Sequence, residues 1–125
     1  MGKDIGIHGN MFGGILMAWI DEAAGAFATE YCHTPNMVTL RVGEMLFKKP
    51  IKSGNHIRLY GEVGHLGKTS ITLNIEVRKY NVYSGEETLV CITSITFVRI
   101  DEDGNPTPIG DSVRKKHAAS LAEKV

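Results

Sequence analysis

The sequence predicts an α+β domain in which a curved antiparallel sheet wraps round one long central helix. Three observations carry this. Residues 12–31 are apolar on nearly every side of a helical projection, with Leu16, Trp19, Ile20, Ala23, Ala24, Phe27 and Ala28 spread over more than one face. That is the pattern of a buried helix, not of one lying on a surface. Residues 37–100 then read as strands, and no β-α-β alternation occurs, which argues against a parallel doubly wound sheet.

Taken in order, residues 1–11 are short, glycine-containing and weakly patterned, and read as a loop or the remnant of a strand. The helix over 12–31 would be about 30 Å long and has an alanine-rich interior suited to helix propensity and close packing. It should stop near Cys32, because His33-Thr34-Pro35-Asn36 breaks helices. Val38, Leu40 and Val42 alternate with Thr39, Arg41 and Gly43 in a first strand that ends at Phe47. Lys48-Lys49-Pro50 and Ser53-Gly54-Asn55 make the next connection. Ile57, Leu59, Gly61 and Val63 alternate with Arg58, Tyr60 and Glu62, and Gly67-Lys68 signals a hairpin. Ile71, Leu73, Ile75 and Val77 alternate with Thr72, Asn74, Glu76 and Arg78, the clearest period-two run in the chain. After a turn at Tyr83-Ser84-Gly85-Glu86, Thr88–Ile100 reads as a long strand buried on both faces, followed by a surface turn at Asp101–Pro106. Asp111 or Ser112 caps a last short helix over 111–124.

A chain of 125 residues is one domain by length. Its formal net charge of zero gives no sign of a nucleic-acid or membrane-surface binder and leaves little self-repulsion against oligomerisation. The two cysteines, Cys32 and Cys91, have neither disulfide-framework nor metal-ligand spacing, so both read as reduced and the protein as cytoplasmic. Lys3 followed by the apolar run Met11–Ile20 faintly resembles a secretion signal, but Gly13-Gly14 interrupts the run and Asp21-Glu22 follows it at once. The sheet can cover one side of the central helix only. A helix apolar all round needs a second cover, and a partner subunit supplies it.

The stretch His8–Tyr31 carries the chemistry. A glycine-rich turn leads into the helix, where unpaired backbone N–H groups welcome negative charge. Asp21 then sits among residues built for burial, and desolvation makes a carboxylate a stronger base. An acid and a donor cluster are two parts of an acyl-transfer site, with Gly13 and Gly14 N–H groups as oxyanion donors. The plainer alternatives are a solvated acidic patch at Asp21-Glu22 and a tight packing turn at the glycines. Asn10 either orients water or a carbonyl, or caps the helix. Glu22 lies about 100° round the helix from Asp21 and points elsewhere. Gly14 and Asp21 are separated by about 10 Å along one helix axis, so each site is expected to combine Gly14 of one subunit with Asp21 of another. The five histidines show no metal-ligand spacing, and no Gly-x-Ser-x-Gly elbow occurs.

The run from His8 through Gly13-Gly14 to Asp21-Glu22-Ala23 resembles the signature of hot-dog-fold acyl-CoA thioesterases, within them the YciA and cytosolic acyl-CoA hydrolase branch. Val38–Val42 followed by Phe47–Ile51, and Gly67–Ser70, fit the family's next strand and hairpin, so that the resemblance covers most of residues 5–100. It implies hydrolysis of acyl-CoA to fatty acid and CoA at the interface of a dimer, with dimers often assembled as a trimer into a hexamer. It implies Asp21 as the catalytic acid, acting as general base or nucleophile, and Asn10 as a polar position near the start of the motif. It implies Thr39 as a strand residue near the site, contributed across the dimer. No cofactor is required, since CoA is part of substrate and product. Family members usually carry a strand ahead of the motif, and with seven residues before His8 the segment 1–7 is expected to be a shortened form of it.

For the CoA phosphates the candidates are Arg41, Lys48, Lys49 and the Gly67-Lys68-Thr69-Ser70 turn, which offers backbone donors, hydroxyls and a cation together. Each lysine singly is also an ordinary solvated side chain, and Arg114-Lys115-Lys116 reads as a solvated helix face. The rivals to a thioesterase are a hydratase or dehydratase of the same fold and a non-catalytic acyl-CoA sensor. No histidine stands beside an acid as the first needs, and no DNA-binding segment supports a transcriptional form of the second.

Overall fold

The computed structural model describes residues 9–49 and 56–123. The segment 1–7, His8, the Ser53-Gly54-Asn55 connection and Lys124 lie outside them. The chain runs α1 (Gly9–Cys32), β1 (Met37–Val42), β2 (Leu46–Phe47), β3 (His56–Leu66), β4 (Ser70–Tyr80), β5 (Glu87–Arg99) and α2 (Asp111–Glu123). The strands form one antiparallel sheet in the order β1-β5-β4-β3, with β2 on the same edge of β5 as β1. The expected fold class is therefore the one observed.

Helix α1 has 24 residues, about 36 Å of helix. It begins three residues earlier than its apolar pattern suggests, so Gly13-Gly14 is not a turn ahead of the helix but part of it. It ends as expected. His33 takes a left-handed φ of 54°, and its N–H and that of Thr34 close back on the carbonyls of Glu30 and Thr29 at 3.4 and 3.2 Å. This is a Schellman cap with histidine where glycine is usual.

Leu16, Ile20, Ala24, Ala28 and Cys32 are buried in a row spaced by four, packed over Ile71, Leu73, Ile75, Val77, Ile95 and Phe97 of the sheet. Fully burying a Leu or Ile side chain contributes about 1.5–3 kcal/mol, so this row and its sheet partners dominate the fold's stability. The other side of α1, with Ala18, Asp21, Glu22, Ala23 and Ala26, stays exposed. One chain thus covers one face of the helix, and burial on all sides is not reached within it.

Three bulges reset which side chains face α1. In β1, Thr39 pairs with Phe97 and Arg41 with Thr96, leaving Leu40 as an extra residue. Strict alternation placed Val38, Leu40 and Val42 inward together. Instead all three are exposed, and Thr39 shares the helix face with buried Phe97. In β3, Gly64 is the extra residue, and a Cβ there would lie 2.7 Å from the Asn74 side chain. In β5, Val90 is the extra residue, which lets consecutive Val90 and Cys91 both be buried. The single strand expected from Val38 to Phe47 is split in two. Between the halves, the Gly43 N–H donates to Ser94 O at 2.7 Å, and a Cβ at Gly43 would meet Ser94 Oγ at 2.5 Å.

After β5 the turn at Asp101 closes on its own side chain, whose Oδ1 accepts from the N–H groups of Asp103 and Asn105, each at 2.9 Å. The chain then returns across the hairpin end of the sheet, burying Ile109 and Val113 in the core. The Arg114 N–H donates to Gly110 O at 3.2 Å, so Gly110, not Asp111 or Ser112, holds the cap position of α2. Asp111 sits in the first turn, where the helix dipole favours an acid.

Candidate active site

Asp21 lies midway along α1 and is exposed within its own chain, not sunk among apolar groups as the sequence suggested. The Leu40 bulge aims Thr39 at it, and Thr39 Oγ1 donates to Asp21 Oδ1 at 2.9 Å. The contact is made within one chain, whereas the family resemblance implied a threonine contributed across a dimer. Among the described residues Asp21 Oδ2 has no partner, so one carboxylate oxygen is held and the other is free to accept a proton or attack. Glu22 is exposed, and among the described residues the Thr39 hydroxyl bonds Asp21 and not Glu22.

Asn10, Gly13 and Gly14 all lie in the first two turns of α1. The unpaired N–H groups of a helix belong to its first turn, here around Gly9–Phe12, while those of Gly13 and Gly14 fall in the second. The start at Gly9 therefore shifts the free donors one turn away from the two glycines, and further from Asp21 of the same chain.

The sheet sorts the candidate phosphate partners. Thr39, Phe97 and Ile71 share one rung across β1, β5 and β4, and Ser70 pairs with Val98 on the next. The Gly67–Ser70 turn is thus at the same end of the sheet as Thr39, two strand spacings away, about 10 Å. Lys48 and Lys49 are not brought there: Phe47 pairs with Cys91, about 20 Å down β5 from the Thr39 rung. Arg41 is near in sequence but lies opposite Thr96, which faces away from α1 and bonds Thr72 at 2.8 Å. It therefore stands on the outer face of the sheet.

Two α2 side chains escaped sequence reasoning. Arg114 is half-buried, with Nη2 on the carbonyls of Gly67 and Lys68. His117 Nδ1 lies 3.0 Å from Tyr31 Oη. The available signal was the i,i+4 pair Ile109 and Val113, which marks the inward side of this segment and places Arg114 at its margin. Burial pushes the Tyr31 hydroxyl up from its ordinary value, with neighbouring Cys32 adding to it. Burial likewise raises the Cys32 thiol, partly offset by Arg99, and the Cys91 thiol. Both thiols are held protonated, and neither is a nucleophile here. Among the described residues no His, Cys, Asp and Glu side chains gather to hold a metal ion, and no helix is long and apolar enough to cross a membrane.

Residues 8–91 match the thioesterase superfamily. The chain is 32% identical over 106 residues to YkhA of Bacillus subtilis, described as an uncharacterized acyl-CoA thioester hydrolase; that match takes in 85% of this chain and 61% of YkhA, less than two thirds of its length. It is 34% identical over 112 residues to the acyl-CoA thioester hydrolase YciA of Salmonella typhimurium, with 87% and 84% covered. Its fold superposes on an aspartate-to-alanine mutant of HI0827, a hexameric broad specificity acyl-coenzyme A thioesterase, with a TM-score of 0.82 and 31% identity over 98% of this chain and 92% of that one.

Proposed function

The chain belongs to the thioesterase superfamily, and from that premise we infer that it is an acyl-CoA thioester hydrolase of the YciA and HI0827 type, with Asp21 as its catalytic carboxylate. The observation that supports this most directly is the Thr39–Asp21 hydrogen bond. Thr39 fixes one oxygen of the carboxylate and leaves the other to draw a proton from water or to attack the thioester carbon. Backbone amides at the N-terminal end of α1 bind the oxyanion, with Gly13 and Gly14 letting the acyl group approach the backbone closely. Asn10, in the same turns, orients the carbonyl or the water. The reaction draws on side chains, amides and water, and CoA enters as part of the substrate, its phosphates at the Gly67–Ser70 turn.

The site is completed by a second copy of the chain. Asp21 and the first turn of α1 are about 15 Å apart along one axis, too far for a single thioester carbon. The exposed small residues of α1 lie beside edge strand β1, whose Val38, Leu40 and Val42 are all exposed, and a two-fold partner would cover and desolvate both elements. By analogy with HI0827, three such dimers make a hexamer.

The test is thiol release from a panel of acyl-CoAs, wild type against Asp21→Ala. Release that survives the substitution undiminished rejects Asp21 as the catalytic group. Mixing inactive Asp21→Ala with inactive Gly14→Val then checks the shared site. Random pairing restores about a quarter of wild-type activity if the two groups come from different copies, and none if they come from one.

A further inference from the structure

The Gly67–Ser70 turn is polarised in one direction. Gly67 O and Lys68 O accept from Arg114 Nη2 at 2.6 and 2.5 Å. Lys68 O also accepts from the Ile109 N–H at 2.9 Å, Thr69 O from the Arg99 N–H at 2.8 Å, and Ser70 O from the Gly67 N–H at 2.8 Å. All four carbonyls of the turn are therefore taken. In a planar trans peptide the C=O and the following N–H point in opposite directions, and the described residues contain no cis bond. With Gly67 O and Lys68 O turned towards Arg114, the N–H groups of Lys68 and Thr69 are turned away from it. Neither has an acceptor among the described residues.

Two successive carbonyls facing the same way repel one another, and a guanidinium between them removes that cost. Arg114 is itself anchored: Val113 beside it is buried in the core, and His117 one turn on contacts Tyr31 of α1. The result is a pair of adjacent free N–H donors on a turn that also carries the Lys68 ammonium and the Thr69 and Ser70 hydroxyls, the kinds of donor a phosphate oxygen requires.

Resting on the assignment of this turn to the CoA phosphates, we propose that Arg114 is a positioning residue for CoA. It binds no substrate atom. It holds two peptide planes so that their N–H groups face the phosphate, and α2 is the element that carries it there.

The experiment compares wild type, Arg114→Ala and Arg114→Lys on one acyl-CoA and on the same acyl group carried by pantetheine, which lacks phosphates. For Arg114→Ala the expected result is a rise of about tenfold in KM for acyl-CoA, with kcat changed less than twofold and KM for acyl-pantetheine unchanged. Arg114→Lys, a cation without the planar fork, recovers part of the loss. A misfolded fraction lowers kcat on both substrates alike and leaves both KM values in place, so partial unfolding cannot imitate the pattern. An unchanged acyl-CoA KM, or equal rises for the two substrates, overturns the proposal. Lys68→Gln separates it from the reading beneath it. If Lys68→Gln raises the acyl-CoA KM and Arg114→Ala does not, Arg114 alone loses its role. If wild type shows equal KM values for the two substrates and Lys68→Gln changes neither, the turn is not a phosphate site at all.

Discussion

Two exposed polar clusters on this domain are built in opposite ways. On the outer face of β3, β4 and β5, Arg78 bonds Glu76, stacks over the Tyr60 ring at 4.5 Å and approaches Glu87, while Glu87 also accepts from Tyr60 Oη at 2.6 Å and pairs with Arg58. Arg58 in turn lies over the Tyr80 ring at 4.2 Å. Each of these four charges, Arg58, Glu76, Arg78 and Glu87, answers another. On the α1 side, Asp21 has one hydrogen bond, from Thr39, and no cation in its own chain among the described residues. A network that satisfies itself stabilises a surface. A carboxylate held by one neutral donor and otherwise left open is poised for something outside the chain.

The largest expected effect lies at the open cluster. Asp21→Ala should lower kcat by about 10³-fold, the range a general base or nucleophile supplies, with the melting temperature nearly unchanged because the side chain is exposed. A drop in stability matching the drop in rate would make Asp21 a structural acid and erase the contrast. Next comes Thr39→Val, which keeps shape and removes the donor. A fall in kcat of about 10- to 100-fold is expected, with KM little changed, since the carboxylate is present but no longer held. A full rate in Thr39→Val would show that the second copy orients Asp21 by other means.

The two clusters also differ in how far the sequence announced them. Asp21 stood out because an acid interrupted an apolar helical run, and that anomaly is local and survives in one dimension. The helix, the hairpin at Gly67-Lys68 and the succession of strands along the chain were legible for the same reason. Thr39 was reached by resemblance only, because its orientation depends on the Leu40 bulge, and a bulge is a mismatch between two strands that neither strand shows alone. Arg114 looked like one more solvated cation, since its partners are backbone carbonyls some 46 residues away that have no side-chain signature. The split of the strand at Gly43 likewise depends on how closely Ser94 approaches it. Periodicity reports which face a residue prefers, and loses the count wherever a strand gains a residue.

The buried thiols let both clusters be measured cleanly. With Cys32 and Cys91 raised by burial, the folded chain keeps their protons at pH values where the unfolded chain loses them. Their contribution is intact below the ordinary thiol value of about 8.5 and is lost as pH rises from there through the higher value each buried thiol holds. Wild type, Asp21→Ala and Arg78→Gln should therefore lose melting temperature in parallel above that pH. At neutral pH a thiol reagent should detect released CoA with no signal from the protein until it is denatured. A variant whose melting curve departed from the others above pH 8.5 would have exposed a cysteine and would be unfit for the comparison.

The smallest effect is expected at the closed cluster. Arg78→Gln removes a guanidinium whose charge is already favoured by its bond to Glu76, yet both partners are only half-buried, and pairs in contact with water are weak and screened by salt. Glu87 keeps Tyr60 and Arg58, so no buried charge is left behind. The rate on acyl-CoA should be that of wild type, and the melting temperature should shift slightly at low salt and not at all at high salt. A tenfold loss of kcat/KM would break the comparison outright: the outer face, with its 260 Å³ hollow between Tyr60, Asn74 and Arg78, would then belong to the site, and pairing among charges would no longer separate structure from function on this fold.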